Sequence, residues 1–195
     1  MELHLQQTDS THRIYLMKIG ILIKYTDDDL SKGLNSVEVH NKILRKSGKV
    51  WIGKYGLPID SRMLTLCASA DIDLLLICIR TQSVENEPKF FSAKILAAQN
   101  KRPPTSLVPS FYRKHCAVQT WFCLDSIIEP MTPKEILSWC AVSSGQPLLA
   151  VLRKGGRDHF YLAKKDELNE VQKLINDRTR KKTSSISTHV AYGRL

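Results

Sequence analysis

Apolar and polar positions along the chain group into short blocks, each with a period of its own. Residues 14–25 (IYLMKIGILIKY) form a run rich in β-branched and aromatic side chains, and Thr26-Asp27-Asp28-Asp29 closes it with a polar turn. That composition predicts a buried strand. Asn35, with Glu38 three residues on, makes a capping box for a helix running to about Lys46 and closed by Gly48. Residues 49–55 (KVWIGKY) predict a short strand, Gly56-Leu57-Pro58 a turn, and Asp60 or Ser61 the cap of a second helix reaching about Ala70. The continuous apolar run 73–80 (DLLLICIR) has the character of a central strand, and 89–98 (KFFSAKILAA) of its returning partner across a polar connection.

The second half is less regular. Residues 100–116 make a long loop with Pro103, Pro104 and Pro109 and a Phe111-Tyr112-Arg113-Lys114-His115 segment. Loops of that length inside a compact domain are commonly functional or disordered, and the aromatic pair flanked by bases favours function. Residues 118–128 (VQTWFCLDSII) predict a strand in which Trp121 reads as core, and Thr132-Pro133-Lys134-Glu135 starts a short helix through Trp139. Residues 148–153 and 159–163 predict a last hairpin turning at Gly155-Gly156. Asp166 caps a terminal helix with Leu168, Val171, Leu174 and Ile175 on one side. The order predicts an α+β domain: a curled, mostly antiparallel sheet or small β-barrel with helices packed outside. Residues 1–16 read as a flexible extension, 17–163 as the domain, 164–180 as a C-terminal helix, and 181–195 as a basic flexible tail.

Composition sharpens this reading. The 195 residues carry 29 Lys+Arg against 19 Asp+Glu, a net charge of +10, which favours a polyanionic partner, nucleic acid before a membrane surface. Five scattered cysteines with no C-x-x-C pair indicate neither a zinc site nor a disulfide framework, and point to a reducing, cytoplasmic setting. The polar N-terminus and the short apolar runs predict neither a signal peptide nor a membrane span. No cofactor or metal is implied.

Candidate chemistry centres on 49–56 (KVWIGKYG), where Trp51 and Tyr55 stand among two glycines and two lysines. Glycine lets backbone approach a ligand, an indole offers a stacking face, and lysine attracts phosphate. The plain alternative is that Trp51 is core and the lysines a solvated rim.

Leu22-Ile23-Lys24 before a polar turn and helix, then Val50-Trp51, then the 57–64 turn into a helix, resembles the start of a YTH domain. Gly156-Arg157-Asp158 is similar to that family's Gly-Arg-Asp turn. EVE domains, the wider PUA-like barrels, and the DNA-reading modules of McrB-type modification-dependent restriction GTPases share this order. The resemblance covers about residues 17–163. It implies a reader that holds a modified base, such as methyladenine, in an aromatic cage and acts without catalysis of its own. Trp51 would be one wall, with the backbone of Ile52 and Gly53 reading the base edge. Phe111 or Tyr112 would be the second wall, or Trp121 from the neighbouring strand. Tyr25, Thr26 and Asp28 would join the base pocket, and because Thr26, Asp27 and Asp28 stand where the family has asparagine-type residues, the resemblance leaves open which base edge is read. Lys24 and Arg157 match basic residues that contact nucleic acid. Lys54, Arg113 and Lys114 join them on charge and position. An effector nuclease or NTPase, fused or recruited, would be the partner. The competing class is an RNA-acting enzyme, a ribonuclease or hydrolase as among some PUA-like relatives, using His115-Cys116 with Asp125 or Asp158, against which the lack of a recognised catalytic motif weighs. Two further readings are an RNA-binding module without modification specificity and a protein-interaction domain whose basic tail docks on acidic partners.

Overall fold

A computed structural model of the chain describes residues 19–26, 36–68, 72–80, 88–114, 117–153, 159–173 and 175–176. Eight strands, numbered in chain order, are β1 (Ile19–Thr26), β2 (Val50–Tyr55), β3 (Ile72–Arg80), β4 (Lys89–Gln99), β5 (Val118–Leu124), β6 (Glu129–Pro130), β7 (Trp139–Ala141) and β8 (His159–Lys164). The helices are α1 (Ser36–Ser47), α2 (Ser61–Ala68), α3 (Pro133–Leu137) and α4 (Leu148–Arg153). A further helical stretch covers 168–173 and 175–176.

Pairing follows the path β2-β5-β4-β3-β1-β8-β7, with β6 beside β4. The strands divide into two mostly antiparallel sheets that share β4. Its first half pairs with β3 (Leu74↔Lys94 to Ile79↔Lys89) and its second with β5 (Ile95↔Leu124 to Gln99↔Trp121). The changeover falls at a register shift between Ile95 and Ala97, where Leu96 is the extra residue and stands exposed. A bulge there bends the strand and increases its twist, which lets one strand serve two sheets. Among the described residues no ladder joins β2 to β1 or β7, so the curl stays open and does not close into a barrel. One pair, β1 with β3, is parallel.

The near-continuous apolar character of β1 has a direct cause: both of its faces are covered. Ile19, Ile21 and Ile23 enter the main core, while Leu22 enters a second core with Phe90, Trp139, Leu148, Leu152 and Leu162. That second core also corrects two sequence expectations. Residues 148–153 are the helix α4 and not a hairpin strand, because β8 already has β1 on one side and β7 on the other. Leu148 and Leu152, one helical turn apart, then bury together. Trp139 opens strand β7 instead of lying on the preceding helix, and Lys164 Nζ sits 4.3 Å from its ring centroid. The predicted 118–128 strand ends at Leu124. Ile128 is then held by Asn41 of α1, which donates to its carbonyl (3.0 Å) and accepts from its N–H (2.8 Å). No helix among the described residues is long and apolar enough to cross a membrane.

A buried ring cluster at the β2 edge

β2 is buried along nearly its whole length. It lies under α1, whose inward face is Val37, His40, Asn41 and Leu44, a helical stripe with two polar members. β2 pairs only with β5 among the described strands, so the edge of β2 facing away from β5 must be satisfied by side chains.

Tyr112 does this. It comes from the 3-10 turn Ser110–Lys114 in the long loop, is 0% exposed, and its Oη accepts the Gly53 N–H at 2.9 Å. The same hydroxyl lies 3.3 Å from His40 Nε2 and 3.4 Å from the Gly53 carbonyl. His40 Nδ1 is 2.7 Å from the Ser36 carbonyl. A carbonyl only accepts, so Nδ1 carries the imidazole hydrogen and Nε2 presents its lone pair to the Tyr112 hydroxyl. Burial pushes the His40 pKa down to about 4, against the upward pull of the Ser36 bond. The ring is therefore neutral at pH 7, as this bonding pattern requires.

The rings pack around this network. Tyr112 has Phe111 at 4.5 Å, Trp121 at 5.2 Å, His40 at 5.7 Å and Tyr55 at 6.0 Å, centroid to centroid. Tyr112 and Trp121 are buried, whereas Tyr55 and Phe111, both in contact with Tyr112, are half-buried. Gly53 lies at the centre because nothing larger fits. A Cβ there would stand 2.6 Å from Val118 Cγ1, 2.9 Å from Tyr112 Cε1 and 3.2 Å from Trp121 Cζ3. Gly53→Ala is expected to overpack the cluster and cost about 1–3 kcal/mol, read as a lowered urea midpoint. An unchanged midpoint would mean that the rings do not close on this glycine.

The loop that delivers Tyr112 is tied at several points. Asn100 Nδ2 donates to the Ile59 carbonyl (3.1 Å) and its Oδ1 accepts from buried Thr120 (2.8 Å). The exposed Arg102 donates to the Tyr112 carbonyl (3.2 Å), which ties a guanidinium to the backbone that carries the ring. On the outward side of α1 and just past it, Lys42, Arg45, Lys46 and Lys49 are exposed.

Several candidate residues stand differently from the sequence reading. Trp51 is 9% exposed and belongs to the main core, and Ile52 is buried beside it. The Gly53 N–H, expected to read a base edge, is bonded to Tyr112. Lys54, expected among the phosphate contacts, is buried, and its ammonium donates to the Tyr55 (3.1 Å) and Leu57 (2.7 Å) carbonyls. A strand so fully enclosed leaves its lysine nowhere to point but along its own following turn. Lys24 is half-buried near the end of β1. Asp28 and Arg157 lie outside the described residues, as do the side chains of Tyr25, Thr26, Arg113 and Lys114. His115, Cys116 and Asp158 also lie outside them, while Asp125 is exposed. Sequence reasoning missed His40 and Asn41, whose signal is two polar residues at inward positions of an amphipathic helix. Among the described residues no group of three His, Cys, Asp or Glu side chains could hold a metal ion.

No protein-family model matches the chain, and no curated protein matches it.

Proposed function

We propose that this chain is a nucleic-acid-binding reader of the PUA-like, YTH/EVE type. In this reading it captures an unpaired, modified base at the surface side of the ring cluster. The observation that carries the proposal is the placement of Tyr55 and Phe111, two half-buried rings flanking Tyr112 with a guanidinium from Arg102 alongside. Stacking on such faces contributes about 1–3 kcal/mol per base. Tyr112 then acts from beneath, as the buried ring against which both outer rings pack. A methyl group on the base adds about 0.8 kcal/mol when buried, so selectivity for the modified base is modest unless the pocket tightens around it.

The exposed Lys42, Arg45, Lys46 and Lys49 supply phosphate contacts, within a chain whose net charge is +10. Such contacts make affinity fall steeply with salt. With no catalytic role assigned to the cluster, an action on the bound strand falls to a nuclease or NTPase, fused or recruited, as in modification-dependent defence.

The test is a titration of methylated and unmethylated DNA and RNA oligonucleotides at two salt concentrations. Tyr55→Ala and Phe111→Ala are each expected to weaken binding by about tenfold or more while the protein stays folded. Replacing Lys42, Arg45, Lys46 and Lys49 with glutamine should flatten the salt dependence. Equal or absent binding of every oligonucleotide by the wild-type protein would overturn the reading.

A further inference from the structure

The C-terminal helical stretch buries an apolar side and is tied to the body by polar groups. Val171 and Ile175 belong to the main core, and Leu168 reaches toward Gly145, where an added Cβ would stand 3.5 Å from its Cδ2. Gln172 Nε2 donates to the carbonyl of Val142, just past β7, at 2.6 Å. The Arg62 guanidinium of α2 donates to the Ile175 carbonyl. The last carbonyls of a helix have no partner within it, so a cation from a neighbouring element is a natural cap.

This docking leaves two polar atoms stranded. Arg62 Nε and the Tyr161 hydroxyl are shut off from solvent, and among the described residues neither has a hydrogen-bond partner. They belong to one place. Val142, which accepts from Gln172, donates its own N–H to the Tyr161 carbonyl (2.9 Å), and Arg62 is the side chain that caps the stretch. Burial pushes the Tyr161 pKa up and the Asp60 carboxylate adds to this, while the Arg62 guanidinium pulls it down, so both charges act on this hydroxyl. A donor buried without an acceptor forfeits its hydration and gains nothing in exchange. The helix therefore contributes apolar burial and loses part of that gain at Arg62 and Tyr161.

We infer that the C-terminal helical stretch is a strap that lifts from α2 and β8 as a unit while the two sheets stay folded. Lifting returns water to Arg62 Nε and the Tyr161 hydroxyl, which offsets part of the cost of exposing Val171 and Ile175. Proteins open locally in contiguous units, at free energies below that of global unfolding, where burial is incompletely compensated in this way. What the strap uncovers is apolar surface together with two hydrogen-bond donors. Base capture plays no part in this device.

Hydrogen exchange read by mass spectrometry on the full chain tests the strap, with wild type and Tyr161→Phe compared in increasing urea below the unfolding transition. Amides of residues 168–176 are expected to exchange at least about tenfold faster than those of β1, at a rate that urea scarcely changes, because a local opening exposes little surface. Tyr161→Phe keeps the ring and removes one stranded atom, so it should slow exchange of these residues about tenfold. Exchange in step with β1 at every urea concentration would show that the stretch opens only with the whole fold, and would overturn the strap. Unchanged or faster exchange in Tyr161→Phe would overturn it as well, since the hydroxyl would then cost the closed state nothing.

Discussion

Tyr112→Ala is expected to destabilise the fold by about 3–5 kcal/mol, in the range of large aromatic truncations in a core. The ring is fully buried and meets four others, so its removal leaves a cavity that its neighbours cannot close without breaking their own contacts. Its hydroxyl also accepts the Gly53 N–H and faces the His40 lone pair, and both would lose that partner in a dry environment. Tyr112→Phe separates the two effects, since it keeps the ring and removes only the hydroxyl, at about 1–3 kcal/mol. Urea unfolding followed by circular dichroism reads both. If the alanine variant fell by less than the phenylalanine range, Tyr112 would not be the keystone of the β2 edge. The half-buried Tyr55 and Phe111 would then be supported by something else.

Acid should destabilise the protein through His40. Its pKa is about 4 in the folded state against an ordinary 6.5, because burial disfavours the imidazolium. Between these two values the unfolded chain binds a proton that the folded chain does not. The stabilisation is thus fully present above about pH 6.5, declines as pH falls, and is exhausted near pH 4, for a total of about 3 kcal/mol. The structural consequence has the same sign. A protonated His40 becomes a donor at Nε2, and the Tyr112 hydroxyl can no longer donate to it. The check is the difference in stability between pH 7 and pH 4 for wild type and for His40→Gln, which has nothing to titrate there. Parallel pH profiles for the two proteins would show that the imidazole is not buried neutral.

Tyr112 also explains why part of the site was hard to read from the chain. Aromatic residues in 100–116 and a tryptophan at 51, two residues before Gly53, are visible in the chain, and the two regions meet at β2. The order of burial was not visible. Of the expected walls, Trp51, Tyr112 and Trp121 are buried, and only Phe111 is half-buried, together with Tyr55. Lys54 is a sharper case. A lysine after glycine in a polar-looking octapeptide reads as a phosphate contact, yet the strand around it is covered on both sides.

Local order was legible wherever one periodicity dominated. Residue order alone places α1, β2, α2, the β3–β4 pair and the described part of β1 to within a few residues, because in those segments propensity and burial demand the same conformation; positions 14–18 of the expected first strand lie outside the described residues. The sequence also determined the basic character of the surface. The helix over 148–153 follows from long-range packing instead, since it depends on which strands occupy the flanks of β8. Likewise, the Gly53–Tyr112–His40 network joins positions 59 and 72 residues apart along the chain. No local pattern encodes such contacts, because a hydroxyl has no preferred partner until the fold excludes water from around it.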